Sequence, residues 1–235
     1  MDGTTETKLR VGILDDHIST LEGHAALLQK DPQIEVVSKM IYGEAIEPTL
    51  EKDPVDVLLL DVTVPTSKEN KNPYPILNVI PTLLEKYPKL AILVISMHND
   101  RGLIRAVMEA GASGYILKDD QAAFKDLGSV VKTIAGEGIY FSQATHDLYS
   151  RSLSVHSDKN ILLTPRQLEA LSLYAAYPDY TTAQVAEKMQ ISNSTVRNLL
   201  STAYMRLNVK SRPAAVSKAR ELGLITPYSP EAPKH

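Results

Sequence analysis

Residues 9–17 of this chain have the sequence LRVGILDDH, an apolar run with β-branched residues that ends in two carboxylates. Similar runs recur along the first half of the chain, separated by stretches in which apolar residues have helical spacing. The predicted strands are Leu9 to Leu14, Ile34 to Ser38, Val55 to Leu60, Ala91 to Ile95 and Gly114 to Leu117. The predicted helices are Thr20 to Gln29, Ala45 to Glu51, Ile76 to Tyr87, Arg101 to Ala110 and Ala123 to Ala135. This alternation predicts an α/β domain with a parallel sheet.

Polar side chains stand directly after four of these runs. Asp15 and Asp16 follow the first run, Asp61 the third, Ser96 the fourth and Lys118 the fifth. The carboxyl ends of parallel strands lie at one edge of a sheet, where open α/β folds bind ligands, so these side chains should converge. Three gathered carboxylates repel one another unless a cation neutralises them, and an all-oxygen site suits Mg²⁺. We therefore expect a Mg²⁺ site that leaves one carboxylate free to act as a nucleophile.

The bulk composition is that of a globular protein without thiol chemistry. Hydrophobic residues make up 43% of the chain, charged residues 23%, and cysteine is absent. Disulfides, thiolate metal sites and thiol nucleophiles are thereby excluded. No apolar stretch approaches the ~18 residues that span a bilayer, and the acidic start lacks a signal-peptide pattern. We therefore expect a cytoplasmic protein that does not bind membranes.

The charge divides the chain near residue 160. Residues 1–160 hold 16 Lys and Arg against 23 Asp and Glu, whereas residues 161–227 hold 8 against 4. A basic C-terminal part suggests a module that binds a polyanion. It is predicted to be all-α, with helices at Pro165 to Ala176, Thr182 to Met189, Asn193 to Leu207 and Arg212 to Leu222.

A polar, Ser-rich segment with one short helix around Gln143 to Ser154 separates the two parts. We therefore predict a first domain at residues 7–136, a linker at 137–160, a second domain at 161–227 and a Pro-rich tail at 228–235.

The first domain resembles the receiver domain of two-component response regulators, over roughly Leu9 to Ala135. The matching stretches are ILDDH at residues 13–17, the aspartate after LLL at 58–60, the hydroxyl after Val94-Ile95, and GASGYILK at 111–118. The resemblance implies a flavodoxin-like (βα)5 fold, with Asp61 as the acceptor of a phosphoryl group from a histidine kinase. It implies that Mg²⁺ is held by Asp15, Asp16, Asp61 and the carbonyl of Thr63.

The same resemblance assigns the groups that would sense the phosphoryl group. Ser96 would be the switch hydroxyl, Tyr115 the switch aromatic residue, and Lys118 the ammonium that offsets phosphoryl charge. We interpret His17 and His98 as residues of the pocket rim or surface. The segment after Pro65 departs from the family pattern, since residues 66–75, TSKENKNPYP, make the loop about six residues too long. That loop borders the phosphorylation site.

The second domain resembles the LuxR-type helix-turn-helix of the NarL/FixJ response regulators, over Leu163 to Leu224. The matching stretches are LTPR at residues 163–166, QVAEKM at 184–189, ISNSTVR at 191–197 and LNVKSR at 207–212. Ser194 to Leu207 would be the recognition helix, with its early residues in the major groove of double-stranded DNA. The predicted DNA-binding residues are Ser194, Thr195, Arg197, Asn198, Ser201, Lys210 and Arg212. Arg197 and Asn198 can read base edges, whereas Thr195, Lys210 and Arg212 suit phosphates.

The second domain shows one departure from the family pattern and suggests one further expectation. Residues 177–179, Tyr-Pro-Asp, replace the single glycine that usually precedes the second helix. Ala215, Ala219 and Leu222 are candidates for an exposed pairing face, and a homodimer would suit a two-fold symmetric operator.

Together the motifs predict a DNA-binding response regulator, not an enzyme, in which phosphorylation of Asp61 controls dimerisation and transcription of target promoters. One alternative is an atypical receiver that regulates DNA binding without phosphorylation, suggested by the long loop. Another is a Mg²⁺-dependent phosphatase with an aspartate nucleophile. The pattern Asp-x-Asp expected at such a nucleophile is not met by Asp61-Val62-Thr63.

Overall fold

The computed structural model describes residues 7–154 and 163–227, and its N-terminal part is built on a parallel sheet. The strands are β1 (Leu9–Leu14), β2 (Ile34–Met40), β3 (Val57–Leu60), β4 (Ala91–Ser96), β5 (Gly114–Leu117) and β6 (Tyr140–Phe141). They lie in the order β2-β1-β3-β4-β5-β6. The predicted α/β fold is confirmed, with a sixth strand added. Residues 155–160 of the predicted linker, residues 161 and 162 of the predicted second domain, and the predicted tail at 228–235 lie outside the described residues.

Helices cover both faces of this sheet. They are α1 (Ile18–Leu28), α2 (Ile46–Lys52, after a 3-10 turn at Gly43–Ala45), α3 (Ile76–Lys86), α4 (Arg101–Glu109), α5 (Gln121–Lys125) and α6 (Leu127–Ala135). The single helix predicted over Ala123 to Ala135 is divided because Asp126, with φ −127° and ψ 35°, leaves the helical region. Successive strand residues alternate between the faces, so Leu59 packs in one apolar cluster and Leu60 in the other.

The segment predicted as a linker adds a strand and a helix to the first domain. Strand β6 pairs in parallel with β5, with Tyr140 opposite Gly114. A Cβ at Gly114 would lie 2.6 Å from the Tyr140 carbonyl oxygen, so the close pairing requires glycine here. Helix α7 (Gln143–Ser154) follows, and the Tyr149 ring stacks on Phe141 at 4.9 Å. Pairing with β6 covers the backbone edge that β5 would otherwise expose.

Within the described residues 163–227, four helices form the C-terminal part, as predicted. They are α8 (Pro165–Ala176), α9 (Thr182–Lys188), α10 (Asn193–Leu207) and α11 (Arg212–Glu221). Each begins at a hydroxyl side chain that accepts a backbone N–H of the first turn, namely Thr164, Thr181, Ser192 and Ser211. Their apolar faces share one core. Within residues 7–154 and 163–227, no helix is both long and apolar enough to cross a membrane.

The prediction that Ala215, Ala219 and Leu222 form an exposed pairing face on α11 is wrong for the two alanines. Ala215 and Ala219 are fully buried, because α11 turns them into the core of its own domain. Leu222 is partly exposed. The side chains that α11 presents to solvent include Ser217 and Glu221 instead.

The long loop after Pro65 is an ordered hairpin. Pro65 and Pro73 form an antiparallel bridge, and the N–H of the fully buried Thr66 donates to the Asn72 carbonyl at 2.9 Å. The hairpin is tied to the start of α2, because the Gly43 N–H donates to the Pro65 carbonyl at 2.9 Å. The ring of Tyr74 then packs directly against Gly43.

We predict that Gly43→Ala destabilises the first domain. A Cβ at this position would lie 2.0 Å from Cγ of Tyr74, so the ring and the hairpin must move. Overpacking of this kind costs about 1–3 kcal/mol, which urea unfolding should show as a lower midpoint.

Gly23→Ala is the matched control, because nothing lies within 4 Å of a Cβ at Gly23 on α1. Alanine there should raise the free energy of unfolding by up to about 1 kcal/mol, since glycine is the poorer helix former. Equal effects of the two substitutions would contradict the packing of Tyr74 on Gly43.

Candidate phosphorylation pocket and nucleic-acid interface

The register between β1 and β3 places two carboxylates side by side. Leu14 pairs with Leu60, so Asp15 and Asp61 are the next residues of neighbouring strands. The Asp61 N–H donates to the Leu14 carbonyl at 2.9 Å, which extends the ladder to the aspartate itself. Both carboxylates are buried, Asp15 to 2% exposure and Asp61 to 3%. The predicted convergence of acids at the carboxyl edge of the sheet is therefore observed.

The register between β4 and β5 brings the hydroxyl and the ammonium to the same edge. Ser96 pairs with Leu117, and the Lys118 N–H donates to the Ser96 carbonyl at 2.8 Å. Nζ of Lys118 lies 2.7 Å from Oδ2 of Asp15 and 2.7 Å from Oδ2 of Asp61. Lys118 thus bridges the two buried carboxylates.

The backbone after Asp61 also contacts its carboxylate. The Thr63 N–H donates to Oδ1 of Asp61 at 3.2 Å, and Thr63 is 7% exposed. The role predicted for the Thr63 carbonyl as a metal ligand stays a prediction.

Charge in this pocket is not balanced by Lys118 alone. Burial raises the pKa of Asp61, and the attraction of Lys118 offsets this only in part. Burial lowers the pKa of Lys118, but the charges of Asp61 and Asp15 outweigh it, so the net shift is upward and the amine stays protonated. The raised pKa shows that the negative charge of Asp61 is incompletely compensated in this pocket, and a further cation would stabilise it.

Asp16 and His17 form the outer rim of the pocket. Ligand atoms of Asp15, Asp16 and His17 all lie within 4.8 Å of one another. Nδ1 of His17 is 2.9 Å from Oδ1 of Asp16, and the His17 side chain is 60% exposed. The rim position expected for His17 is observed, but sequence reasoning did not anticipate its contact with Asp16. The position of His17 directly after Asp15 and Asp16 is the sequence feature that could have revealed this contact.

The two predicted switch residues lie close together. Ser96 is fully buried, and its Oγ accepts the His98 N–H at 3.2 Å. Tyr115 is fully buried, and its hydroxyl donates to the His98 carbonyl at 2.7 Å. Burial raises the pKa of Tyr115, so the phenol remains a donor. His98 is therefore the backbone link between the two side chains, which the sequence did not reveal.

Helix α10 has the two faces predicted for a recognition helix. Val196, Leu200, Ala203 and Leu207 are buried in the domain core. The opposite face, formed by the predicted DNA-binding residues Ser194, Thr195, Arg197, Asn198 and Ser201, is exposed. Leu199 is partly exposed and packs against the core.

Hydroxyl groups gather at the start of α10. Oγ of Ser192 lies 2.8 Å from Oγ of Ser194 and 2.7 Å from Oγ1 of Thr195. The first backbone amides of a helix attract phosphate, so this end suits a DNA backbone.

The two basic residues after α10 differ in their surroundings. Lys210 is exposed. Arg212 is partly exposed, with its guanidinium 4.6 Å from the centre of the Tyr174 ring and 3.1 Å from the Tyr180 carbonyl oxygen. These contacts hold the start of α11 against α8 and the turn between α8 and α9, and the DNA contact of Arg212 stays a prediction.

Two family models match the chain, one for each domain. The model described as the response regulator receiver domain matches residues 11–127. The model described as bacterial regulatory proteins of the luxR family matches residues 162–219.

Full-length relatives share both parts. The chain is 30% identical to the transcriptional regulatory protein DegU of Brevibacillus brevis over 238 residues, covering 94% of this chain and 96% of DegU. It is 30% identical to the oxygen regulatory protein NreC of Staphylococcus epidermidis over 227 residues, covering 92% of this chain and 99% of NreC.

Solved structures show the same fold. RcsB of Salmonella enterica serovar Typhimurium, solved on promoter rprA with the phosphomimetic BeF3⁻, aligns with a TM-score of 0.61 and 24% identity, covering 90% of this chain and 98% of RcsB. With a receiver domain and a luxR-family domain in the same order as in its relatives, this chain belongs to the NarL/FixJ family of two-component response regulators.

Proposed function

We propose that this protein is a phosphorylation-controlled transcription regulator in which Asp61 is the phosphoacceptor. The observation that carries the proposal is the buried Asp61 carboxylate, contacted at one oxygen by Lys118 and at the other by the Thr63 amide. The proposed donor is a histidine kinase, and the proposed target is double-stranded DNA.

The chemical step is the transfer of one phosphoryl group. A carboxylate oxygen of Asp61 attacks the phosphorus of a phosphohistidine, the P–N bond breaks, and the imidazole leaves with the electron pair. The product is an acyl phosphate on Asp61. The Lys118 ammonium, already 2.7 Å from Oδ2, offsets the charge of the new phosphoryl oxygens.

The pocket fits a Mg²⁺ ion by the chemistry of its donors. The buried Asp15 and Asp61 share a single ammonium, and the partly exposed Asp16 adds a third carboxylate at the rim. Asp15, Asp16, Asp61 and the Thr63 carbonyl would hold the ion. When bound, Mg²⁺ neutralises the phosphoryl oxygens and the surrounding carboxylates.

Ser96 and Tyr115 would report phosphorylation to the rest of the fold. A phosphoryl group on Asp61 would itself carry a charge of about −1.5 to −2 beside Ser96, whose hydroxyl would donate to one of its oxygens. Ser96 Oγ accepts the His98 N–H and the Tyr115 hydroxyl donates to the His98 carbonyl, so a movement of Ser96 would reach Tyr115 through the backbone of a single residue.

The C-terminal domain, proposed as residues 161–227, would bind DNA through α10. Its exposed face, formed by Ser194, Arg197, Asn198 and Ser201, supports this proposal. RcsB has been solved as dimers on DNA, and we propose a homodimer for this chain as well. Each chain would take up one phosphoryl group without turning over a substrate, so we do not propose an enzyme. The DNA and kinase partners imply action in the cytoplasm.

Incubation with acetyl phosphate and Mg²⁺ should add the mass of one phosphoryl group to the wild type. Asp61→Asn should show no addition, because the amide is not nucleophilic, and EDTA should abolish labelling of the wild type. Intact mass spectrometry measures both.

Asp119→Asn is the matched control, since Asp119 is exposed one residue after Lys118. It should label like the wild type. Equal labelling of Asp61→Asn and wild type would refute the acceptor. An unlabelled wild type that still binds DNA would favour a phosphorylation-independent receiver, and multiple-turnover phosphate release from small phosphoesters would favour a phosphatase.

Arg197→Ala should weaken binding to an operator selected from random duplexes by ~1–3 kcal/mol, the range for one good base contact. Lys210→Ala should weaken binding to all duplexes alike and reduce the salt dependence by about one unit of slope. Fluorescence anisotropy at several salt concentrations measures both. An affinity for the selected operator that is unchanged by Arg197→Ala would exclude Arg197 as a base-reading residue.

A further inference from the structure

A cleft of about 780 Å³ lies between the receiver and the C-terminal domain. Helices α3 and α4 form its receiver wall, and α8 forms much of the opposite wall. Clefts of roughly 300–1,000 Å³ accept drug-sized molecules, and they occur preferentially where domains meet. The described residues that line this cleft belong neither to the pocket of Asp61 nor to the recognition helix α10. Phosphorylation and DNA binding therefore do not account for the cleft.

Both walls of the cleft are mostly apolar. Val79 and Ala106 line the receiver side, whereas Leu168, Leu173 and Leu224 line the other side. All five side chains are only partly buried, although each packs against the core of its own domain. The cleft thus leaves apolar surface of two domains in contact with water, and an apolar occupant would remove that surface from water.

The charged side chains around the cleft favour a neutral occupant. The three glutamates that line it are all ion-paired, Glu47 with Lys86 at 3.6 Å, Glu109 with Arg105 at 2.7 Å, and Glu169 with Arg166 at 2.8 Å. Lys188 is exposed, with Nζ 5.4 Å from the centre of the Tyr177 ring, so a pair with it would be screened by water. A charged occupant would lose hydration with little compensation from the walls, which is unfavourable.

A proline builds one polar anchor into the receiver wall. Pro81 lies inside α3 and has no N–H. The carbonyl of Leu77, four residues earlier, therefore lacks the donor that the regular helical pattern would supply. Leu77 and Pro81 both line the cleft. An O–H or N–H of a bound molecule would satisfy this carbonyl.

Two hydrogen bonds between the domains hold the walls of the cleft at a fixed separation. Oγ of Ser172, a residue 2% exposed on α8, donates to Oδ1 of Asn78 on α3 at 2.8 Å. The Tyr177 hydroxyl donates to Oε1 of Glu44 at 2.7 Å. Ser172, Asn78 and Tyr177 also line the cleft. A molecule that enters therefore meets a preformed site, and little ordering of the protein is needed on binding.

We propose that this interdomain cleft binds a neutral, largely apolar small molecule that carries one hydrogen-bond donor. The apolar body lies between α4 and α8, and the donor binds the carbonyl of Leu77. Because the molecule contacts both domains, it favours the arrangement of the domains in which the cleft exists. The site gives the protein a chemical input separate from Asp61, and it does not rest on the proposed function.

N-phenylnaphthylamine is a suitable probe, because it is neutral and apolar and carries one N–H. Its fluorescence rises when it leaves water, so a titration of the full chain measures a dissociation constant. We expect saturable binding of one probe molecule per chain. Anilinonaphthalene sulfonate has the same aromatic body and a negative charge, and it should bind about tenfold more weakly or worse.

Substitutions on both walls test where the probe binds. Ala106→Phe fills the cleft from the receiver side, and Leu168→Ala removes three carbons from the opposite wall. Each should weaken probe binding by about tenfold, because apolar contact with the probe is lost. Ala26→Phe is the matched control, since Ala26 is exposed on α1 and does not line the cleft. It should bind the probe like the wild type.

Circular dichroism and the thermal midpoint show whether each variant is folded, and Val79→Phe replaces Ala106→Phe if that protein does not fold. Absence of saturable binding to the wild type would overturn the site. An affinity that changes in only one of the two folded wall variants would also overturn it, because the molecule must contact both domains. Binding of the sulfonate as tightly as the neutral probe would overturn the class of ligand.

Discussion

The pocket depends on one ammonium shared by two buried carboxylates. Nζ of Lys118 lies 2.7 Å from both Asp15 and Asp61, which are withdrawn almost fully from water. Burying charge is costly unless it is paired, and here two negative groups face one positive group. The arrangement is stable only while the sheet fixes all three positions, and the excess charge makes it responsive to an added cation or a phosphoryl group. The parallel register that aligns the ends of β1, β3 and β5 is therefore a requirement of the chemistry as well as of the fold.

The rigidity of the sheet explains why a structural change at Asp61 would be transmitted through the loops that follow the strands. Asp61 and Ser96 stand where buried strands end, and the backbone that follows each of them is held by hydrogen bonds to its side chain. The strands cannot move without breaking a close-packed core, whereas the loops exchange one set of polar contacts for another. In this chain those loops lead to the hairpin and to the first turn of α4, and both contact the DNA-binding domain.

The features predicted correctly from the sequence are those that leave a short-range pattern in it. Apolar runs that end in Asp15, Asp61 and Lys118 revealed the sheet and its pocket, because residues directly after parallel strands must share an edge. Strand β6 was not predicted, because a strand of two residues is too short to show an alternating apolar pattern. The expected pairing face on α11 was wrong at Ala215 and Ala219, because alanine suits either a core or an interface. The contact of Asn70 with Ala176 spans 106 residues, and no local pattern reports such a pairing.

The exposed face of α10 limits how contact between the two domains can act on DNA binding. Arg197 and Asn198 are exposed while the domains are in contact, so the receiver does not cover them. A two-fold symmetric operator requires two recognition helices one helical turn of DNA apart, about 34 Å or a multiple of it. A docked domain takes its position from its receiver, so the spacing in a dimer would follow from the contact between receivers.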